Sequence, residues 1–323
     1  MASPFGRAHI VVNPRAGRGA VERGWPAVQR VLDEGGVAYD VTITERPGHG
    51  TEAARRAVDD GCTFVVAVGG DGTVHEVVNG LMDDAGPRNP ATVLGVVAAG
   101  SGCDFVKTFG LPQDPADAAG HLLGDTLWGK IDVGRIRCTD RDGAPHTRWF
   151  ANIAEAGIGA DVVDAASRMP KFLGGQVYRL AALKTIAKFK PPDAPVSLHG
   201  RTTRGKHGED ETLSDLKRDG TFSMVVVANG QFFGGGMRVA PRAVPGDGLF
   251  DVQISHGPRG EAVKAMQKMF KGDHIPSPHI QEYLASSVSI GGEKPILIEA
   301  DGEVVGVTPA TFEIVADAIP MKV

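Results

Sequence analysis

Cysteine is scarce: only Cys62, Cys103 and Cys138 occur in 323 residues. They lie far apart and show no C-x-x-C spacing, which excludes a zinc ribbon and a disulfide framework. A reducing cytoplasm fits that usage. No apolar run reaches the roughly 18 residues that a membrane-crossing helix needs. The opening segment "MASPFGRAHIVVNP" lacks the long apolar core of a signal peptide. Neither sign of charge dominates. The formal net charge of −5 argues against a general polyanion binder, so nucleic acid is not an expected partner. There is no repeat of 20–50 residues. The ten histidines form no HExxH or H-x-x-x-H pair and are expected to be structural or exposed.

What is present is a globular composition, 42% apolar and 23% charged, in a chain long enough for two domains. The first 125 or so residues alternate strand and helix signals. Strands are expected at 8–14, 39–44, 63–70 and 91–100, and helices at 21–36 (interrupted near Pro26), 50–61 and 73–82. "TFVVAVGG" and "ATVLGVVAAG" are continuous apolar runs of the kind found in buried parallel strands. This alternation predicts a doubly wound α/β nucleotide-binding domain. After about Lys130 strand-like runs dominate: "KIDVGRIRC", "TRWFANIAEAGI", "TFSMVVVANG", "GLFDVQISH" and "PILIEADGEVV". Two helices, 172–190 and 260–272, interrupt them. This half predicts a β-sandwich-like domain. The polar stretch 201–220 is expected to be a solvent loop, and the cleft between the two domains is the expected active site.

Three small-residue turns end the strands of the first half: "NPRAGRG" (13–19), "GGDGT" (69–73) and "AAGSGCDF" (98–105). Ligands of an open parallel sheet sit beyond the carboxyl ends of its strands. Glycine permits close approach of backbone to ligand, and the N–H groups of a helix start favour phosphate oxygens. Three such turns along one edge predict a polyphosphate site. Thr73 and Glu76 also match the T-x-x-E capping box, which needs no ligand. The Walker A pattern is absent, and G-x-G-x-x-G is not met after the first strand. Asp71 would repel a phosphate by itself, so it suggests a magnesium-dependent nucleotide site.

"GGDGT" after an apolar strand, with "NPxxGxG" before it and "GSGCDF" after it, resembles the diacylglycerol kinase catalytic-domain family, to which sphingosine and ceramide kinases also belong. "FANIAEAGIGADVV", "VANGQFFGGGMRVAPRAVPGDGLFDV" and "EADGEVVG" resemble its later blocks, in order. The resemblance implies residues 1–129 as an ATP-binding domain, 130–306 as a lipid-binding β-rich domain, and a tail, 307–323, that returns to the first. It implies ATP contacts from Asn13, Pro14, Arg15, Ala16, Gly17, Thr44, Gly69, Gly70, Asp71, Gly72, Thr73 and Ser101, with Glu76 counted beside them. It implies a Mg²⁺ loop in "AVPGDGLF", with the Asp247 side chain and the carbonyls of Val244 and Leu249 as ligands. Asp301 matches the base on the lipid hydroxyl. "PGDG" is also an ordinary turn, and Asp-Gly is the commonest hairpin signal.

The family usually reads G-T-x-N-D-F where this chain has Gly100 to Phe105. Ser101 keeps the hydroxyl, but Cys103 replaces an amide with a weak donor. Residues 168–206 hold nine Lys/Arg against one acid, Asp193. The stretch 172–190 sets Phe172, Leu173, Val177, Leu180 and Leu183 against Arg179, Lys184 and Lys188. Such a helix lies on an anionic membrane surface or packs as an ordinary helix with a solvated face. The expectation is therefore an ATP- and magnesium-dependent lipid kinase, cytoplasmic or peripheral at the inner membrane face, with a homodimer left open. An NAD kinase-like phosphotransferase and a nucleotide-binding regulator without catalysis are the alternatives.

Overall fold

In a computed structural model the chain is described over residues 3–99, 102–169, 176–200, 202–204, 210–212 and 215–323. It divides into two compact units. One comprises residues 1–133, 245–247 and 315–323, the other 134–244 and 248–314.

The first unit opens with β1 (Ala8–Val12), α1 (Ala16–Glu34), β2 (Tyr39–Ile43), α2 (His49–Asp59), β3 (Phe64–Gly69) and α3 (Asp71–Leu81). A minimal hairpin of β4 (Met82–Asp83) and β5 (Gly86–Pro87) follows, then β6 (Val93–Ala98), α4 (Asp104–Thr108) and α5 (Pro115–Gly120). The sheet is parallel, in the order β2-β1-β3-β6. Every residue of β3 and β6 is buried, because α1 packs with α5 and α2 with α3 as covering layers. The break in the first helix falls at Gly17, Arg18 and Gly19, all left-handed, and the helix continues through Pro26.

The second half begins with β7 (Leu127–Thr139), β8 (Pro145–Phe150), β9 (Ile153–Gly157), α6 (Ile158–Ser167) and α7 (Gln176–Lys188). It continues with β10 (Val196–His199), β11 (Thr202–Arg204), β12 (Asp210–Thr212), β13 (Leu216–Arg218), β14 (Met224–Ala228) and β15 (Phe250–Ser255). Last come α8 (Arg259–Met269), β16 (Ile280–Ala285), β17 (Ser287–Ile290), β18 (Leu297–Ala300) and β19 (Glu303–Lys322). One antiparallel layer runs β18-β9-β14-β15-β16-β11-β12; the other runs β19-β17-β10-β13. Strand alternation builds two cores from the same strands. Val225 and Val227 of β14 face the interior with Phe250, Leu198, Val288 and Phe312. Val226 and Ala228 face Ile153, Val239, Ala240 and Met269 on the other side.

Three details differ from the sequence reading. The polar stretch 201–220 contributes β11, β12 and β13, so it is not simply a solvent loop. The helix expected over 172–190 is described from Gln176, and Phe172 and Leu173 lie outside the described residues. Helix α6 is additional, and its N-cap position is Gly157 at φ 114°, with no side-chain cap.

The tail packs in the first unit, where Met321 pairs with Leu94. Lys322 is buried, and its Nζ donates to the carbonyls of Thr126 at 2.9 Å and Val323 at 2.7 Å. Burial and the nearby Lys322 charge push the His121 pKa down to about 4. The folded state therefore holds His121 neutral while the unfolded chain titrates near 6.5. Stability is present above that value and is lost as pH falls from about 6.5 to about 4, by roughly 3 kcal/mol. His121→Gln should flatten this part of the Tm-versus-pH curve measured by calorimetry.

Candidate functional site

Helix α3 starts directly off β3, and the side chains of its first two turns each hold a different loop. Thr73 Oγ1 accepts from Asn13 Nδ2 at 3.2 Å, which ties down the turn after β1. Asn13 also accepts from the Arg15 N–H through Oδ1 at 3.2 Å, an Asx-type turn. Asp71 Oδ1 accepts from the Phe105 N–H at 3.0 Å and so caps α4 from outside. Glu76 takes the N–H groups of Gly48 at 2.7 Å and Gly50 at 2.8 Å on its two oxygens, and its carbonyl accepts from Thr51 Oγ1 at 2.9 Å. The segment from Thr44 to Gly50 is thereby fixed at the start of α2. Thr44 itself is buried, and its N–H reaches the Val12 carbonyl at 2.8 Å.

Glycine is required at Gly69 by contact, since a Cβ there would come within 2.2 Å of Thr73 Oγ1. Gly70 is different. Its φ of −97° and ψ of −171° suit any residue, so its own conformation does not demand glycine. As N-cap of α3 it has no side chain to satisfy the first-turn N–H groups. Gly72 is exposed in that first turn. Gly17, Arg18 and Gly19 form a run of left-handed residues beside Asn13, Pro14, Arg15 and Ala16.

One expectation needs correction. Thr73 and Glu76 form no capping box, because the N-cap is Gly70 and Thr73 lies inside α3. Glu76 positions the 44–50 loop, each of its oxygens accepting a backbone N–H group. Gly100 and Ser101 lie outside the described residues. Cys103 is buried and left-handed, at φ 48° and ψ 47°. Asparagine visits that conformation readily and most other residues pay for it, so the exchange of amide for thiol costs backbone strain here. Asp104 is buried and accepts from Lys107 Nζ at 2.7 Å.

In the loop that follows Ala243, Val244 and Asp247 are exposed, Leu249 is half-buried and Gly248 is left-handed at φ 77°. The loop's base is held where Gln231 Nε2 donates to the Ala243 carbonyl at 2.9 Å. Among the described residues no group of three or more His, Cys, Asp or Glu could hold a metal. One carboxylate with neighbouring carbonyls is a donor set of the kind Mg²⁺ accepts, since that ion keeps several waters.

Asp301 occupies the β18–β19 hairpin at φ 51°, followed by Gly302 at φ 90°. Its side chain does more than shape the turn. Oδ2 accepts from the Ala151 N–H at 3.1 Å, and Oδ1 accepts from Asn152 at 3.1 Å and Ile153 at 3.2 Å. Three successive N–H groups thus orient one carboxylate. Asn152 is a knot in the same place: its carbonyl accepts from Asn229 and Gly230, and its Nδ2 donates to the Phe232 carbonyl at 2.8 Å. Nearby, Glu155 and Glu299 are fully buried on adjacent strands, and the sequence reading assigned neither. The available signal was an acid in the middle of an apolar run, as in "NIAEAGI" and "PILIEA", which is rare without a reason.

Residues 7–136 match the diacylglycerol kinase catalytic domain, and residues 152–323 match the "YegS C-terminal NAD kinase beta sandwich-like domain". The chain belongs to the diacylglycerol kinase catalytic-domain family. It is 30% identical to a diacylglycerol kinase of Mycobacterium tuberculosis over 98% of this chain and 94% of that one. It is 31% identical to a protein of Xanthomonas campestris named "Probable lipid kinase YegS-like", over 75% of this chain and 72% of that one. A crystal structure of a diacylglycerol kinase from Bacillus anthracis shares the fold, with a TM-score of 0.67 at 20% identity, covering 99% of this chain and 97% of that one. Family membership makes the chain a kinase of the lipid kinase group.

The two neighbouring glycines are expected to behave differently. Gly69→Ala should lower Tm, because Thr73 must move. Gly70→Val should leave Tm nearly unchanged while ATP binding, read by calorimetric titration, falls at least about tenfold as backbone approach is blocked. Unaltered ATP affinity in Gly70→Val would remove the nucleotide role of this turn.

Proposed function

We propose that this chain transfers the γ-phosphoryl group of ATP, with Mg²⁺, to the hydroxyl of diacylglycerol or a related lipid alcohol. The observation that carries the reading is the Asp301 carboxylate, 9% exposed and oriented by three backbone N–H groups, in a chain whose family is that of lipid kinases. The lipid oxygen forms the new bond to phosphorus, the bond from phosphorus to the β,γ-bridging oxygen breaks, and the hydroxyl proton passes to Asp301. Phosphoryl transfer depends on positioning more than covalent help. Asn13, the turn 14–17, Thr44, Gly69 to Thr73 and Ser101 are the proposed phosphate-side contacts. Asp71 and Thr73 also keep those turns in register.

Asp247, with the Val244 and Leu249 carbonyls, would hold Mg²⁺, which supplies charge neutralisation when bound. Among the described residues no helix is long and apolar enough to cross a membrane. Lipid access is therefore proposed at the bilayer surface, with Lys184 and Lys188 of α7 as the cations that meet anionic headgroups.

An acceptor screen with labelled ATP tests the reading directly. Label should enter the lipid alcohol; label in NAD would move the chain to the NAD kinase alternative, and no labelled product would leave a binding protein. Asp301→Asn should lower kcat by roughly 10²–10⁴-fold, the usual worth of a positioned base, with ATP affinity unchanged. Its amide can no longer accept from all three N–H groups, so a modest fall in Tm should accompany the loss. Near-wild-type kcat would make Asp301 a hairpin residue only. Asp247→Ala should raise the magnesium concentration needed for half-maximal rate. An unchanged requirement would make "PGDG" only a turn.

A further inference from the structure

Glu155 in β9 and Glu299 in β18 are directly opposed register partners. They are 1% and 0% exposed. Each has one oxygen, Oε1, without a hydrogen-bond partner. Gly159 leaves the room that the Glu155 carboxyl occupies, for a Cβ there would lie 1.7 Å from its Oε1. Glu299 Oε2 accepts from the Gly302 N–H at 2.9 Å, the residue after Asp301. The strand pair that opposes these glutamates is also the pair that presents Asp301 to Ala151, Asn152 and Ile153.

We propose that Glu155 and Glu299 share a proton, and that Glu299, through the Gly302 N–H, is a positioning residue for Asp301. This rests on Asp301 being the proton acceptor of the reaction. Two like charges at opposed positions in a dry core cannot both persist. Among the described residues, the flanking groups offer no cation to either glutamate. On α6, packed against both strands, stand Asp161 and Asp164; the hairpin adds Asp301 and Glu303; β14, the other neighbour of β9, has no charged residue. Lys184, Lys188 and Lys190 line a recess with Asp161, and Asp164 is paired with Arg141 and Arg168. Burial and then the Asp161 charge hold Glu155 up to about 8, the Ala160 N–H opposing weakly. Burial and then Glu155 hold Glu299 well above the carboxylate range. The pair titrates as a unit.

The sign follows. Unfolded glutamates lose their protons near 4.5, whereas in the folded state Glu155 holds its proton to about 8 and Glu299 holds one well above the usual carboxylate range. The folded state binds more protons across that interval, so stability falls as pH rises through it. Loss of the shared proton sets two charges against each other across β9 and β18 and loosens the strands that orient Asp301.

The test compares full-length wild type with Glu155→Gln, Glu299→Gln, Glu299→Leu and Asp301→Asn, reading kcat, the KM for ATP and Tm between pH 6 and 9.5. Glutamine at 299 still accepts from Gly302 but cannot ionise. Wild-type kcat should decline at least about tenfold on the alkaline side with the KM for ATP constant, and Tm should fall with it. Both glutamine variants should keep neutral-pH kcat and lose the alkaline decline. Glu299→Leu should lower kcat about tenfold at every pH without changing the KM for ATP. If Glu299→Leu fails to fold, the profile of Glu299→Gln decides. An unchanged alkaline decline in both glutamine variants, or wild-type kcat in Glu299→Leu, overturns the pair while an inactive Asp301→Asn leaves the base reading standing. A fully active Asp301→Asn overturns both.

Discussion

The start of α3 is the constraint on which the first unit's chemistry depends. Asp71, Thr73 and Glu76 project from under two turns of helix, and each accepts a hydrogen bond from a different loop. None of these bonds alone is worth more than a few kcal/mol. Their value is geometric, because the loops come from three separate strand ends and have no regular structure of their own to align them. The helix is in turn fixed by β3, whose six residues are all buried. Gly80, further along α3, lets α2 approach so closely that a Cβ would sit 2.5 Å from the Thr51 carbonyl. A buried strand positions a helix, and the helix positions three glycine-rich turns.

The second unit orders polar groups by a different rule. Asp301 is given three backbone donors at once, while Glu155 and Glu299 each keep an oxygen without a donor. Glu155 and Glu299 sit on β9 and β18, and Asp301 sits in the turn that follows β18. A fold that only needed stability would fill the Glu155 and Glu299 positions with apolar side chains. That the acids stand there, opposed and each with an unpartnered oxygen, beside the hairpin that carries Asp301, is a departure from the packing rule that the rest of this core follows.

Much of this was legible in the order of residues. Buried parallel strands are continuous apolar runs, so "TFVVAVGG" and "ATVLGVVAAG" announced the α/β sheet, and their terminal glycines announced the turns. Legibility stopped where the partner was remote. T-x-x-E satisfies a local rule, yet the Glu76 carboxylate is used by Gly48 and Gly50, 28 and 26 residues upstream. The opposition of Glu155 and Glu299 depends on strand register, which no local pattern carries. Asp-Gly correctly signalled a hairpin at Asp301, but that its side chain also accepts from the N–H groups of Ala151, Asn152 and Ile153 depends on a remote segment that no local pattern carries. Helix α6 was missed because it follows a strand without a polar cap residue.

Strand β9 has consequences for how the chain acquires its structure. Its neighbours are β14 and β18, and the N–H groups that hold Asp301 lie 148 to 150 residues before it. Closing loops of that length is paid in entropy before any contact rewards it. During synthesis, at about 5–20 residues per second, the apolar edge of β9 waits many seconds for β18 to emerge. An unpaired apolar edge of that kind is where chains associate wrongly. The carboxylate arrangement is consequently among the last features the nascent chain can complete, and a product truncated anywhere before the β18–β19 hairpin lacks it altogether.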